Sequence, residues 1–337
     1  MTIHIFYPKE GFAISIKRSF EPFVQELKKH HIVNEFYVPH TGANPVNMWK
    51  NIMYVRKHST NKGVNHIAGD IHYCVLGLIG RKSVLTIHDD YAMRYVTHGW
   101  PGKMQKYIFW IWLPIRLSDK VVCITETTQK NIERYCKSPK MRVICHNCVD
   151  KIFRFSPRKF NKELPTILQC GTTANKNIET LLCALEGLKC NLVVLSKMSE
   201  LQHKLAQEKH ITYKNYYNLS TKDVYQLYKS CDIVTFASSY EGFGMPIIEG
   251  QSTGRVVITT DKEPMNWVAG EEGAILVKNP TDVTEYRMAI SKAINGDSLR
   301  SNCINNGKEN VKRFSATTVY SQYIDVYLSC FDAKGTL

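Results

Sequence analysis

Short runs of β-branched and aromatic residues alternate with longer amphipathic stretches along nearly the whole chain. That alternation restricts the fold to α/β, with parallel sheets covered by helices on both faces. Strands are expected at residues 3–7, 35–38, 64–68, 83–88, 120–124 and 141–144, then at 166–170, 191–195, 211–214, 232–236, 256–260 and 274–277. Helical stretches include 19–29, 177–188, 221–230 and 283–294. The pattern lapses over residues 150–165, where DKIFRFSPRKFNKELP has two prolines, several charges and no clean period. With 337 residues and roughly 150 per domain, about two domains are expected. They are read as 1–152 and 160–315, doubly wound and facing across a cleft, with ligands beyond the carboxyl ends of the strands. A last helix, about 316–337, is free to pack back on the first domain.

Charge is the unusual feature of the composition. Lys and Arg number 44 against 30 Asp and Glu, a net +14. Residues 1–150 carry 21 basic and 11 acidic side chains (+10), and residues 151–337 carry 23 and 19 (+4). A basic half faces something anionic: nucleic acid, a membrane surface or a phosphorylated ligand. The 11 cysteines are an odd number scattered over a long chain, which suits free thiols in a reducing compartment better than a disulfide framework. Cys145 and Cys148 form a lone C-x-x-C without the second ligand pair that structural zinc requires. No charged n-region with an apolar core and cleavage site opens the chain. The strongly apolar stretch at residues 107–115 is too short to span a bilayer, which takes about 20 helical residues. A cytoplasmic protein, with a peripheral place on the inner membrane face left open, is expected.

The segment SSYEGFGMPIIEG, residues 238–250, carries the most chemical information. It follows an expected strand and opens an expected helix. A turn holding Gly242 and Gly244 there exposes backbone N–H groups and the positive end of a helix dipole, a cradle for phosphate. Glu241 and Glu249 bracket the turn with seven residues between them, and the second is placed to accept hydrogen bonds from a diol. Taken alone, turn glycines and two solvated acids account for the same letters, since a bare Gly-x-Gly is weak. The strand–loop–helix context and the paired glutamates favour the functional reading.

EGFGMPIIE resembles the E-x7-E motif of retaining glycosyltransferases with the GT-B fold, closest to glycosyltransferase family 4. The likeness extends through GRVVIT (254–259), PMNWVAG (264–270), GTTANKN (171–177), TIHD (86–89) and VICHNCVD (143–150). It implies two Rossmann-like domains, a donor-binding second and an acceptor-binding first. By that resemblance Glu249 holds the ribose hydroxyls of a nucleotide diphosphate sugar and Glu241 contacts the donor sugar. The backbone of Gly242, Phe243, Gly244 and Met245 meets sugar and diphosphate, and Gly171 and Thr172 belong to the phosphate loop. Lys176 neutralises the leaving diphosphate, although by itself it reads as one more solvated lysine. His88 contacts the donor sugar, where a buried structural histidine is the alternative. Asp89 and Asp90 are either polar site residues or a capping pair. The segment 213–217 lines the base or is merely core and surface tyrosine.

No Asp-x-Asp occurs, so neither a metal nor any other cofactor is expected. Thr172 stands where the family often has Arg, Gly11 is what remains of a glycine pair after the first strand, and Trp267 replaces a common acid. The basic first domain suits a glycan acceptor carried on a polyprenyl diphosphate, as in O-antigen or capsule synthesis. Residues 91–116 place Trp100, Trp110 and Trp112 among Arg94, Lys103, Lys106 and Arg116, a mixture suited to an anionic membrane surface; a buried helix with a few solvated charges is the alternative. Nucleic acid is not expected as a partner, because no recognised module is present. A GT-B non-hydrolysing sugar-nucleotide epimerase is the enzyme alternative.

Overall fold

The computed structural model describes residues 1–12, 14–94, 99–143 and 147–332. Ile144, Cys145 and His146, and with them part of the C-x-x-C motif, lie outside the described residues, as do 95–98 and 333–337. The chain divides into two compact units, one of Met1–Asp150 with the chain from Phe314 onward, the other of Lys151–Arg313. The first holds β1 (Thr2–Tyr7), β2 (Ile32–Tyr37), β3 (Val64–Ala68), β4 (Ser83–Ile87), β5 (Lys120–Cys123) and β6 (Met141–Val143). These pair in parallel in the order β2-β1-β3-β4-β5-β6. The second holds β7 (Thr166–Cys170), β8 (Asn191–Leu195), β9 (Tyr213–Tyr216), β10 (Ile233–Phe236), β11 (Val256–Thr260) and β12 (Ile275–Val277). Their order is β12-β11-β10-β7-β8-β9, again all parallel.

Every residue of β3, β4, β10 and β11 is buried, which is why β10 and β11 read as runs of apolar and β-branched residues without polar alternation. The edge strands depart from the expected spans. β2 begins at Ile32, an exposed residue that the apolar pattern passes over. β9 begins at Tyr213 instead of 211, because the Ile211 N–H donates to Ala206 O at 2.9 Å and closes the preceding helix. The helix Ile178–Leu185 stops before Gly187, whose φ of +73° ends it. Helices at Pro45–His58, Glu126–Glu133, Glu200–Glu208 and Asp297–Asn310 complete the alternation. Their starts, like that of Thr221–Ser230, are mostly set by side-chain caps. Thr125 Oγ1 accepts from the N–H of Thr128 at 3.1 Å, Ser220 Oγ from that of Asp223 at 3.2 Å, and Ser199 and Gln202 form a reciprocal capping box.

In the first unit, Phe20, Phe23 and Leu27 of the helix Ile14–Lys28 cover Ile3, Ile5, Val64 and Val84 on one face of the sheet. The final helix, Ala316–Ser329, contributes Val319, Tyr323 and Tyr327 to that same layer. A polar chain crosses it: Tyr327 Oη lies 2.8 Å from His66 Nδ1, Thr86 Oγ1 2.8 Å from His66 Nε2, and Tyr323 Oη 3.0 Å from Thr86 Oγ1. The opposite face, with Phe6, Ile67, Leu85 and Val121, packs under Met48 and Val55 of Pro45–His58 and under Trp110, Ile111 and Ile115. Trp110 is therefore core, and the structure corrects its assignment as an interfacial aromatic. In the second unit Ile178, Leu181, Leu182 and Leu185 pack with Tyr286, Ile290 and Ala293 on Ile167, Leu192 and Ile258. Among the described residues no helix is long and apolar enough to cross a membrane, and each cysteine is a free thiol.

Candidate active site

In the second unit the strand order reverses between β7 and β10, so the loops leaving their carboxyl ends emerge side by side. The first runs from Gly171 (φ +95°) through a single 3-10 turn, Ala174–Lys176, to Asn177 in the left-handed region (φ +50°). The second runs from Ala237 to Gly244 and into the helix Met245–Thr253. Side-chain amides sew the two together. Asn177 Nδ2 donates to Ala237 O at 2.8 Å and to Ser239 Oγ at 2.9 Å. Asn175 Nδ2 donates to Tyr240 O at 2.9 Å and to Glu241 Oε1 at 3.2 Å, while the Ser239 N–H donates to Asn175 O at 2.8 Å. From within the sheet, Gln169 Nε2 donates to Gly171 O at 3.1 Å and Lys176 O at 3.2 Å, its own oxygen accepting from Thr235 Oγ1 at 2.9 Å.

This scaffold brings Lys176 onto Glu241. The ammonium donates to Glu241 Oε1 and sits 4.3 Å from the centroid of the Phe236 ring. The side chains are only 17% and 14% exposed, so neither is the solvated surface group that sequence context alone allows. Gly171 makes room for the lysine stem: a Cβ there would lie 3.0 Å from Lys176 Cγ. Gly244 caps Met245–Thr253 with φ +113°, and a Cβ would meet Ile247 Cδ1 at 2.9 Å. The positive end of that helix thus opens beside the ion pair. Glu249 lies in the same helix, 4% exposed, and accepts from Tyr228 Oη at 2.7 Å. Burial, with the Cys170 thiol and the Glu249 carboxylate beside it, pushes the Tyr228 phenol well above its ordinary value, so it stays a donor to that carboxylate.

The first unit has a cavity of its own. A cavity of about 150 Å³ is lined by Ile16, Asp70, His72, His88, Asp89, Asp90 and Ile111, at the carboxyl ends of β3 and β4. His88 directly follows β4 and is half-buried, and burial together with the neighbouring His72 depresses its imidazole to about 3. Asp70 accepts from Trp110 Nε1, and Trp110 O lies 2.7 Å from His72 Nδ1. Asp90 is 2% exposed and accepts from Arg94 Nε at 2.7 Å, while its carbonyl accepts from the N–H groups of Met93 and Arg94. It thus lines the cavity and also heads the short helix Tyr91–Arg94.

The remaining candidates make contacts of their own. Thr172 Oγ1 donates to Lys197 O at 2.7 Å, and Gly11 lies exposed in a turn after β1 (φ +77°), outside the cavity lining. Tyr213 Oη lies 2.8 Å from His203 Nδ1, whereas Tyr217 is exposed. The Trp267 ring is covered by the Arg313 guanidinium at 4.5 Å. Sequence reasoning passed over Asn175, Asn177, Gln169 and Tyr228, which hold the second-unit loops, and Asp70 and His72, which share the cavity with His88. A signal for the latter pair existed: Gly-Asp-Ile-His ends β3 much as Ile-His-Asp ends β4. Among the described residues no group of three or more His, Cys, Asp or Glu side chains is arranged to hold a metal ion.

Comparison with known proteins covers nearly the whole chain. The family described as Glycosyltransferase Family 4 matches residues 3–151, and Glycosyl transferases group 1 matches residues 150–310. O-antigen chain mannosyltransferase B of Escherichia coli is 30% identical over 128 residues, 38% of this chain and 32% of that protein. An uncharacterized glycosyltransferase of Methanocaldococcus jannaschii is 25% identical over 207 residues, 59% of this chain and 56% of that protein. The chain thus spans about a third and about half of these two relatives. Among solved structures, the sucrose-phosphate synthase of Thermosynechococcus elongatus superposes with a TM-score of 0.77 at 16% identity, covering 99% of this chain and 100% of that one. Anabaena HepE, solved with UDP and glucose, gives 0.72 at 15% identity over 98% of this chain and 100% of that one. At these identities the superpositions establish the fold, GT-B, and nothing finer.

Proposed function

Because the chain belongs to the GT-B glycosyltransferases of the family 4 type, we propose that it moves a sugar from a nucleotide diphosphate sugar to a glycan acceptor, with retention, in surface polysaccharide synthesis. The observation that carries this reading is the meeting of Lys176 with Glu241 beside the Gly244 helix start. A cation, a carboxylate and a helix N-terminus in one place suit a phosphorylated sugar better than any neutral ligand. The donor diphosphate lies against the backbone of Gly242 to Met245 and the loop from Gly171 through Thr172, drawing Lys176 off Glu241. The freed carboxylate takes sugar hydroxyls, and Glu249, held by Tyr228, takes the ribose diol.

As the bond from the anomeric carbon to the diphosphate breaks, negative charge grows on the departing oxygen. Lys176, once drawn off Glu241, and the helix dipole stabilise it. The acceptor oxygen bonds to the same face of that carbon, and its proton passes to the leaving diphosphate. Positive charge comes from the protein, so the reaction runs without a metal. His88 and the carboxylates of its cavity offer hydrogen bonds to sugar hydroxyls. The name of the E. coli relative, an O-antigen mannosyltransferase, supports a surface glycan, and the basic first half supports an acceptor on a lipid diphosphate.

The test is a screen of nucleotide sugars by thermal shift, followed by transfer assays with the donor that binds. Glu241→Gln and Lys176→Ala are each expected to lower kcat by about 10²–10³, the range for removing one charge-stabilising group, with the fold retained and the melting temperature lowered by loss of the ion pair. EDTA is expected to leave the wild-type rate intact. Full activity in Glu241→Gln, or conversion of the donor to an epimer without acceptor, overturns the reading.

A further inference from the structure

The helix Pro45–His58 turns a distinctive surface outward. Met48, Asn51 and Val55 are buried against the first unit. Opposite them stand Val46, Trp49 and Met53, exposed by 62%, 63% and 47%, together with exposed Lys50, Arg56 and Lys57. At 3.6 residues per turn these six side chains fall within roughly one third of the circumference. Large apolar residues on this scale do not normally face water beside one another. The charge is equally one-sided: from Glu35 to Asp70 the sequence contains no acidic residue. Arg81 lies against the end of the helix, donating to Arg56 O at 2.8 Å, and the neighbouring Arg56 charge adds to its desolvation in lowering its pKa.

A second helix, Gly99–Lys106, adjoins this one. Its Gln105 donates to Ala43 O at 2.7 Å and approaches Met48 Sδ at 3.7 Å. It carries exposed Trp100, Lys103 and Met104 at spacings of three and four, and no acid separates Asp90 from Asp119. An acid-free face with tryptophan and methionine between lysines is not complementary to a second copy of itself, because the bases would meet bases. It is complementary to a layer that is anionic at its surface and apolar just beneath.

We propose that the outer face of Pro45–His58, centred on Trp49, Lys50, Met53 and Lys57, docks the protein on an anionic lipid bilayer. The helix lies in the plane of the headgroups, with the indole and thioether below and the ammonium groups at the phosphates. This places lipid contact on a helix other than the one built around Trp110, which is core. It deepens the lipid-linked acceptor reading but does not depend on donor chemistry.

The experiment is co-sedimentation of the full chain with vesicles of phosphatidylcholine containing one-third phosphatidylglycerol, and with pure phosphatidylcholine. Wild type is expected to partition onto the anionic vesicles at low salt and to be released as salt rises. Trp49→Ser/Met53→Ser and Lys50→Glu/Lys57→Glu are each expected to weaken partitioning at least tenfold, with melting temperature and nucleotide binding unchanged, since all four side chains are exposed. Wild-type partitioning in either double variant, or equal partitioning onto neutral vesicles, overturns the proposal. So does a dimer by light scattering that Trp49→Ser/Met53→Ser dissolves. The assay contains no sugar donor, so failure of transfer and failure of docking are read separately.

Discussion

Lys176 and Glu241 hold each other, and on the proposed reading a sugar diphosphate would separate them. Each side chain closes the two loops on each other, and on that reading each would also meet the sugar diphosphate. The residues that set this geometry are amides, Asn175, Asn177 and Gln169, whose hydrogen bonds run to backbone carbonyls. Nothing in an Asn-Lys-Asn run distinguishes these roles from turn formation until the β10 loop is known to lie alongside. The first unit offers a residue-scale prediction. His66 is fully buried between Tyr327 and Thr86, and burial, with the neighbouring His88 adding, lowers its pKa from 6.5 to about 3. The unfolded chain takes up this proton as pH falls through 6.5 and the folded chain does not, so stability is lost on acidification. Between pH 6 and 5 the loss is expected to be about 1 kcal/mol from this group, seen as a falling urea midpoint. His66→Gln is expected to flatten that slope; an unchanged slope refutes the assignment.

At the scale of elements, most strands were legible and the glycine turns were legible in kind. Buried parallel strands such as β7 and β11 are bounded where their β-branched and apolar runs end, because both faces are covered along nearly their whole length. The edge strands β2 and β9 were misjudged by two or three residues, since half-exposed pairing leaves no such signature. Gly244 combines a left-handed φ with a close approach to Ile247, so Gly244→Ala is expected to cost about 1–2 kcal/mol and to weaken nucleotide binding. Gly187→Ala is the control: its φ is +73° with open space around the would-be Cβ. It is expected to lower stability similarly and leave nucleotide affinity unchanged. Equal effects of the two on affinity, measured by titration calorimetry, sink the assignment of the Gly244 turn.

For the whole molecule, the final helix belongs to the core of the first unit, although about 160 residues of the other unit separate it in sequence from that sheet. Tyr323 and Tyr327 are fully buried there, on the layer formed by Phe20 and Phe23. Ending the chain at Arg313 uncovers this layer and removes the Tyr327 partner of His66. The expected outcome is loss of protection in β1, β3 and β4 by hydrogen exchange, with a lowered denaturation midpoint. A truncated chain that keeps the wild-type midpoint refutes this place for the helix.

Periodicity alone determined the class of fold, the strand succession and the break near residue 150, because β-branched runs bounded by turn residues carry their own local physics. The spacing of Glu241 and Glu249 about Gly242 and Gly244 marked a candidate site for the same reason, a local one: loop and helix are contiguous in sequence. Tertiary structure decided what depends on residues far apart in the chain. It paired Lys176 with Glu241, set Asp70 and His72 beside His88, buried Trp110 while leaving Trp49 in water, and returned the last helix to the first sheet. Burial is a property of neighbours, and no stretch of sequence contains its own.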